Sequence, residues 1–103
     1  MTLYAVWASD REGALPERER VRPAHRARLR DPAPHALRVV LAGPTLEPGS
    51  GTMNGTLLVV DAADIEIVRA FVAGDPYTGA GVWGRVEIRP FVCGLGPLAP
   101  TTN

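Results

Sequence analysis

The order of apolar and polar positions divides the chain into short strand-like runs and two helix-like stretches. Residues 3–8 (LYAVWA) are apolar or aromatic and stop at the polar pair Ser9-Asp10, which predicts a first strand. Over residues 14–30 the pattern turns helical. Val21, His25 and Leu29 recur at i, i+4 and i+8 with Ala24 beside them, so one stripe is apolar except for a histidine. Pro23 lacks an N–H and clashes one turn back, so the main helix is expected to begin near Val21 and Arg22, after a short or irregular piece over 15–20. DPAP at 31–34 ends it.

Residues 37–42 (LRVVLA) predict a second strand, 43–55 a flexible Gly/Pro-rich connection, and 56–60 (TLLVV) a third strand. In the second helix Asp61 is the expected cap, with Asp64 at the third position, and Ile65, Val68, Phe71 and Val72 form the apolar face. Gly74 stands as its closing glycine and Pro76 as the stop beyond. A fourth strand over 82–91 is expected to turn Val82, Val86 and Ile88 to one face and Trp83, Arg85, Glu87 and Arg89 to the other. The segment after Cys93 is rich in Gly, Pro and Thr, giving one domain over 1–96 and a loose tail over 97–103.

The order β-α-β-β-α-β predicts an α+β, ferredoxin-like fold, a four-stranded antiparallel sheet with two helices on one face. Its other face, carrying Trp83 and by alternation Tyr4, would be half apolar. That predicts a homodimer packed sheet to sheet, a dimeric α/β barrel.

Composition narrows the function. The 103 residues suffice for one core, and 11 basic side chains balance 11 acidic ones. This neutrality argues against nucleic acid or an anionic membrane as partner. The sheet also lacks the paired aromatics that stack bases in RNA-binding domains of this topology. All eleven basic residues are arginine, which together with abundant Ala, Gly and Pro reads as the mark of a GC-rich coding sequence. No apolar run approaches the length of a bilayer span, and no basic leader precedes the first strand. A cytoplasmic location is expected. One cysteine, Cys93, allows no internal disulfide, and neither a zinc-type Cys/His spacing nor a glycine-rich dinucleotide fingerprint is present, so neither metal nor cofactor is expected.

Three stretches carry the candidate chemistry: RPAH at 22–25, AGP at 42–44 and GDPYTGAGV at 74–82. With the strand ending in Ser9-Asp10 and the closing Pro90-Phe91, their order and spacing resemble the YciI-like (YCII-related) family over nearly the whole chain. The resemblance implies a ferredoxin-like fold, a dimer and an active site built on a His–Asp pair, here His25 and Asp75. One branch of that family is a dehydrochlorinase of a chlorinated hydroxyquinol, and relatives in fold include muconolactone isomerases. The hairpin segment PTLEPGSGTMNG departs from many members, so the substrate does not carry over.

The residues themselves leave two readings of each candidate. His25 is either a satisfied histidine on a buried stripe or a proton carrier, since imidazole titrates near neutral pH. Asp75 before a proline is a good cap for a short turn over 76–80, and one oxygen can cap while the other holds an imidazole N–H. Arg22 is a candidate for an anionic substrate group, and Tyr77 for a hydrogen bond or a ring contact. Ser9 and Asp10 sit where a site could reach them, and Gly43 and Pro44 shape a pocket wall. His35 is expected to be exposed. The expected function is a small cofactor-independent enzyme that moves a proton on a small cyclic or phenolic molecule, of lyase, isomerase or dehalogenase type. The alternative is a non-catalytic ligand-binding or accessory domain that keeps the pocket.

Overall fold

The computed structural model describes residues 2–99. Alternation sets the two inner strands, β1 (Thr2–Asp10) and β3 (Met53–Ala62). They pair antiparallel with Tyr4 opposite Val60 and Val6 opposite Leu58, and both pairs face the helices. β2 (Leu37–Leu46) adds to the free edge of β3 and β4 (Trp83–Phe91) to that of β1, giving the sheet order β2-β3-β1-β4. This is the ferredoxin-like α+β fold.

Three helices lie on one face: α1 (Leu15–Arg30), α2 (Ile65–Ala73) and the single turn α3 (Pro76–Gly79). α2 is amphipathic and buries Val68, Phe71 and Val72 against Val6, Leu58 and Val60. Burying a side chain such as Phe71 contributes about 1.5–3 kcal/mol. Leu37 and Val82 close the core beside Tyr77. No helix among the described residues is long and apolar enough to cross a membrane.

Several expectations are corrected. α1 runs unbroken from Leu15 to Arg30 with Pro23 inside it, rather than starting near Val21. An interior proline costs about 3 kcal/mol through the lost hydrogen bond and the ring clash. Both sides of Pro23 are fastened, however, by Arg18 to Asp10 upstream and by His25 to Asp75 downstream. The second helix is capped by Asp64, whose carboxylate accepts the Ile67 N–H at 3.1 Å; Asp61 belongs to β3, where pairing with β1 prolongs the strand. The connection over 43–55 is mostly strand, because β2 and β3 extend as a hairpin to Leu46 and Met53.

Trp83 and Tyr4 are also corrected. Tyr4 faces the helices, and Trp83 is buried with it. The pairing steps from Ser9 opposite Arg85 to Asp10 opposite Trp83, which leaves Gly84 as the extra residue of a bulge. Trp83 thereby joins the helix side, while Arg85, Glu87 and Arg89 keep the open side. A Cβ on Gly84 would come within 3.0 Å of Arg11 Cγ. The aromatic residues left on the open face are Trp7, 57% exposed, and Phe91, which shares an apolar groove with Leu3, Leu41 and Leu57. Of the tail expected over 97–103, residues 100–103 lie outside the described residues.

Candidate active site

His25 stands on the sheet-facing stripe of α1, and Asp75 on the turn that joins α2 to α3. The tight α2–α3 corner brings them together: Nδ1 of His25 lies 2.9 Å from both carboxylate oxygens of Asp75. Both side chains are almost fully buried. Asp75 Oδ1 also accepts the Tyr77 N–H at 2.8 Å, so the carboxylate caps α3 and holds the imidazole at once. An ionised carboxylate only accepts, so Nδ1 is the donor in this contact, and in a neutral imidazole Nε2 is then the nitrogen with a free lone pair.

An aromatic box surrounds this pair. The Tyr77 ring stacks on the imidazole with centroids 4.0 Å apart, and Trp83 meets the imidazole edge-on at 6.1 Å and the Tyr77 ring edge-on at 5.6 Å. The guanidinium of Arg18 lies 4.4 Å from the centre of the Tyr77 ring. Arg18 is itself buried and grips Asp10 through two hydrogen bonds of 2.7 and 2.9 Å, with a third to Thr56 Oγ1 at 2.7 Å. Burial pushes the Tyr77 phenol above its ordinary value; the positive charges of Arg18 and Arg22 oppose this more weakly. The Tyr77 hydroxyl is buried and has no hydrogen-bond partner among the described residues.

Arg28 supports the pair from below. It donates to the Phe71 carbonyl at 2.6 Å and stands 3.8 Å from Asp75 Oδ2. Gly74 makes room for it, since a Cβ there would lie 2.8 Å from Arg28 Nη2. Gly74 is not the left-handed closing glycine expected, its φ being −90°.

The stack borders a cavity of about 200 Å3 between α1 and the β2–β3 hairpin. A cavity of about 150 Å3 is enough for benzene, so this one suits a single substituted ring. Among the residues named from sequence, Arg22, His25, Tyr77, Gly43 and Pro44 all line it. Asp10 does not; it acts on the cavity through Arg18. Ser9 is corrected: β1 alternation turns it to the opposite, open face of the sheet, with Ala5 and Trp7. His35 is half-buried rather than exposed, its ring edge-on to Phe71 and Nε2 3.2 Å from Arg28. Sequence reasoning missed Arg18, Arg28, Thr56 and Trp83. Arg18 had a usable signal, since it lies seven positions before His25 and thus on the same helix stripe. Among the described residues no three His, Cys, Asp or Glu side chains are grouped to hold a metal ion.

The whole of this frame, from the first strand to the last, matches a known domain. Residues 2–92 fit the model of the YCII-related domain. The chain belongs to the YCII-related family. Within that family it is 34% identical over 94 residues to protein YciI of Escherichia coli, covering 86% of this chain and 95% of that one. An uncharacterized protein of Haemophilus influenzae is 29% identical over 93 residues. Among solved structures, the 5-chloro-2-hydroxyhydroquinone dehydrochlorinase TftG from Burkholderia phenoliruptrix, in complex with 2,5-dihydroxybenzoquinone, superposes with a TM-score of 0.77. It is 30% identical, over 86% of this chain and 92% of that one. A NIPSNAP domain protein from Burkholderia xenovorans shares the fold alone, at 16% identity and a TM-score of 0.53.

Proposed function

We propose that this member of the YCII-related family is an enzyme that moves a proton on a small cyclic or phenolic molecule, with His25 as the base or acid and Asp75 as its orienting partner. The observation that carries the reading is the buried contact of 2.9 Å between His25 Nδ1 and Asp75 beside the ring-sized cavity. Nε2 takes a proton from a ring hydroxyl or from a carbon next to a carbonyl. The carboxylate then balances the imidazolium that forms, and returning the proton elsewhere on the ring completes an isomerisation or assists loss of a leaving group. The stacked Tyr77 keeps the imidazole plane fixed. Support for the substrate class comes from TftG, which acts on a chlorinated hydroxyhydroquinone.

We further propose that residues 1–96 act as one domain in a cytoplasmic homodimer, joined through the open face that bears Trp7, Leu41 and Phe91. No helix covers that face, and it carries an apolar groove lined by Leu3, Leu41, Leu57 and Phe91 beside the charged row Arg85, Glu87 and Arg89.

Chloride release from 5-chloro-2-hydroxyhydroquinone tests the chemistry, and solvent-deuterium uptake into the ring of hydroxyhydroquinone tests proton transfer without a leaving group. The wild type accelerates at least one of the two. His25→Ala lowers that rate by about 10²–10⁴-fold, the usual contribution of a general acid or base. Equal rates for wild type, His25→Ala and buffer in both assays overturn the reading; binding without turnover would then assign the cavity to a non-catalytic ligand domain.

A further inference from the structure

α1 carries six arginines against two glutamates, and their pairing is uneven. Arg18 is held by Asp10, Arg20 by Glu17, and Arg28 by the Phe71 carbonyl with Asp75 at 3.8 Å. The other three, Arg22, Arg26 and Arg30, make no ion pair or side-chain hydrogen bond among the described residues. They fall at i, i+4 and i+8, so they form one row. Like charges at this spacing weaken a helix, and the one opposite charge along the row, Glu19 three positions before Arg22, forms no ion pair with it among the described residues. Arg30 has a reason of its own, because a cation in the last turn complements the helix dipole. Arg22 and Arg26 have none.

The row borders the cavity. Arg22, Arg26 and Arg30 line it together with His25 and Tyr77, and no carboxylate does. The one acidic side chain close by, Glu19, lines the neighbouring groove on the outer side of the same row. Arg18 reaches the cavity too, but Asp10 already neutralises it. The excess charge at the mouth therefore belongs to Arg22, Arg26 and Arg30, and the first two flank His25 at i−3 and i+1. Their field also reaches inward, since the charge of Arg22 acts on the Tyr77 phenol.

We propose that the ligand of this cavity is a carboxylate-bearing ring, whose carboxylate is held by Arg22 and Arg26 while the ring lies against Tyr77. This rests on the reading of the cavity as the site of proton transfer at His25 and names the class of compound that enters. A guanidinium offers a planar fork of donors that matches a carboxylate, and two of them on successive turns fix the rotation of the ring as well as its depth. Fixing that rotation brings one ring position to His25 Nε2 rather than several, which is how a small open cavity can act on a single carbon or oxygen. The cavity of about 200 Å3 leaves room for one ring and one such group.

Isothermal titration with 2,5-dihydroxybenzoate and with hydroquinone, the same ring without the carboxylate, tests this. The wild type binds 2,5-dihydroxybenzoate at least about tenfold more tightly, as expected for charged hydrogen bonds. That preference falls in Arg22→Gln and Arg26→Gln and disappears in the double variant. Arg20→Gln, on the outer side of the helix, keeps it. Equal affinity for the two rings in the wild type overturns the proposal, as does a preference that survives the double variant. Competition by inorganic phosphate at lower concentration than acetate would replace the carboxylate by a phosphate and overturn it likewise. The measurement is made at equilibrium and repeated in His25→Ala. A carboxylate preference without turnover removes only the catalytic reading; turnover without the preference removes only this one.

Discussion

His25 and Asp75, fifty positions apart, meet through one imidazole nitrogen that lies 2.9 Å from each oxygen of the carboxylate. Asp75 is committed twice, to the imidazole and to the N–H of Tyr77. Asp75→Asn separates the two duties, because asparagine caps as well as aspartate but cannot balance an imidazolium. The expected outcome is a fold that survives, with stability lowered by no more than about 2 kcal/mol, and turnover lowered much further. Thermal unfolding beside the proton-transfer assay checks this; a rate unchanged in a folded variant would show that the carboxylate serves only as a cap.

The buried pair of Arg18 and Asp10 lends itself to a double-mutant cycle. Removing one partner leaves the other charge buried without compensation, and Asp10→Ala or Arg18→Met is expected to cost about 3–5 kcal/mol. Removing both should cost less than the sum of the two single changes. Urea unfolding of the four proteins measures it, and strict additivity would mean that the pair is not coupled.

Tyr77 holds a buried hydroxyl with no hydrogen-bond partner among the described residues. Tyr77→Phe is expected to leave stability unchanged or raised, because an unsatisfied buried polar group costs about 1–3 kcal/mol. Any loss of ligand affinity in that variant then reports a hydrogen bond made by the hydroxyl.

The same residue sets an alkaline limit. Burial raises the Tyr77 phenol above the ordinary tyrosine value of 10.0, so the folded state keeps this proton after the unfolded chain has lost it. The stability linked to Tyr77 is complete below pH about 10 and falls as pH rises through the folded-state value. Tyr77→Phe should flatten that part of the alkaline limb, as read by unfolding at a series of pH values. A limb of unchanged slope would assign it to other groups.

The open face predicts assembly. The wild type is expected to sediment near 22 kDa, twice the 11.0 kDa chain, and Trp7→Glu to shift it towards the monomer, since a charge there opposes burial of the surrounding apolar surface. A wild-type monomer at micromolar concentration would leave that face without a partner of its own kind.

Much of the fold can be read along the chain because its signals are local. The short apolar runs of the first and third strands, the apolar face of Ile65, Val68, Phe71 and Val72, and the Asp-Pro start of the last short helix each depend on neighbours within a turn or a strand step. The pairing of His25 with Asp75 was expected from the resemblance of RPAH and DPY to a family, not from any local rule. Pro23 misled because its cost is local, whereas what offsets it is not: Asp10 and Asp75 hold the helix on either side.

By itself the sequence determined the order of the main elements, the apolar face of the second helix, the Asp-Pro start of the last short helix and the residues able to carry a proton, since these follow from side-chain type and spacing. Tertiary structure alone decided the surroundings of those residues. The bulge at Gly84 carries Trp83 from the open face to the imidazole, a one-residue slip in pairing that no single strand records. β1 alternation, once its inner face was set by packing, turned Ser9 away and aimed Asp10 at Arg18. Burial of Arg18 beneath Tyr77, and the placing of half-buried Arg22 and exposed Arg26 at the cavity mouth, depend on how α1 is rotated over the sheet. That rotation is chosen by contacts from three distant segments, because ion pairs and ring stacking act through space and not along the chain.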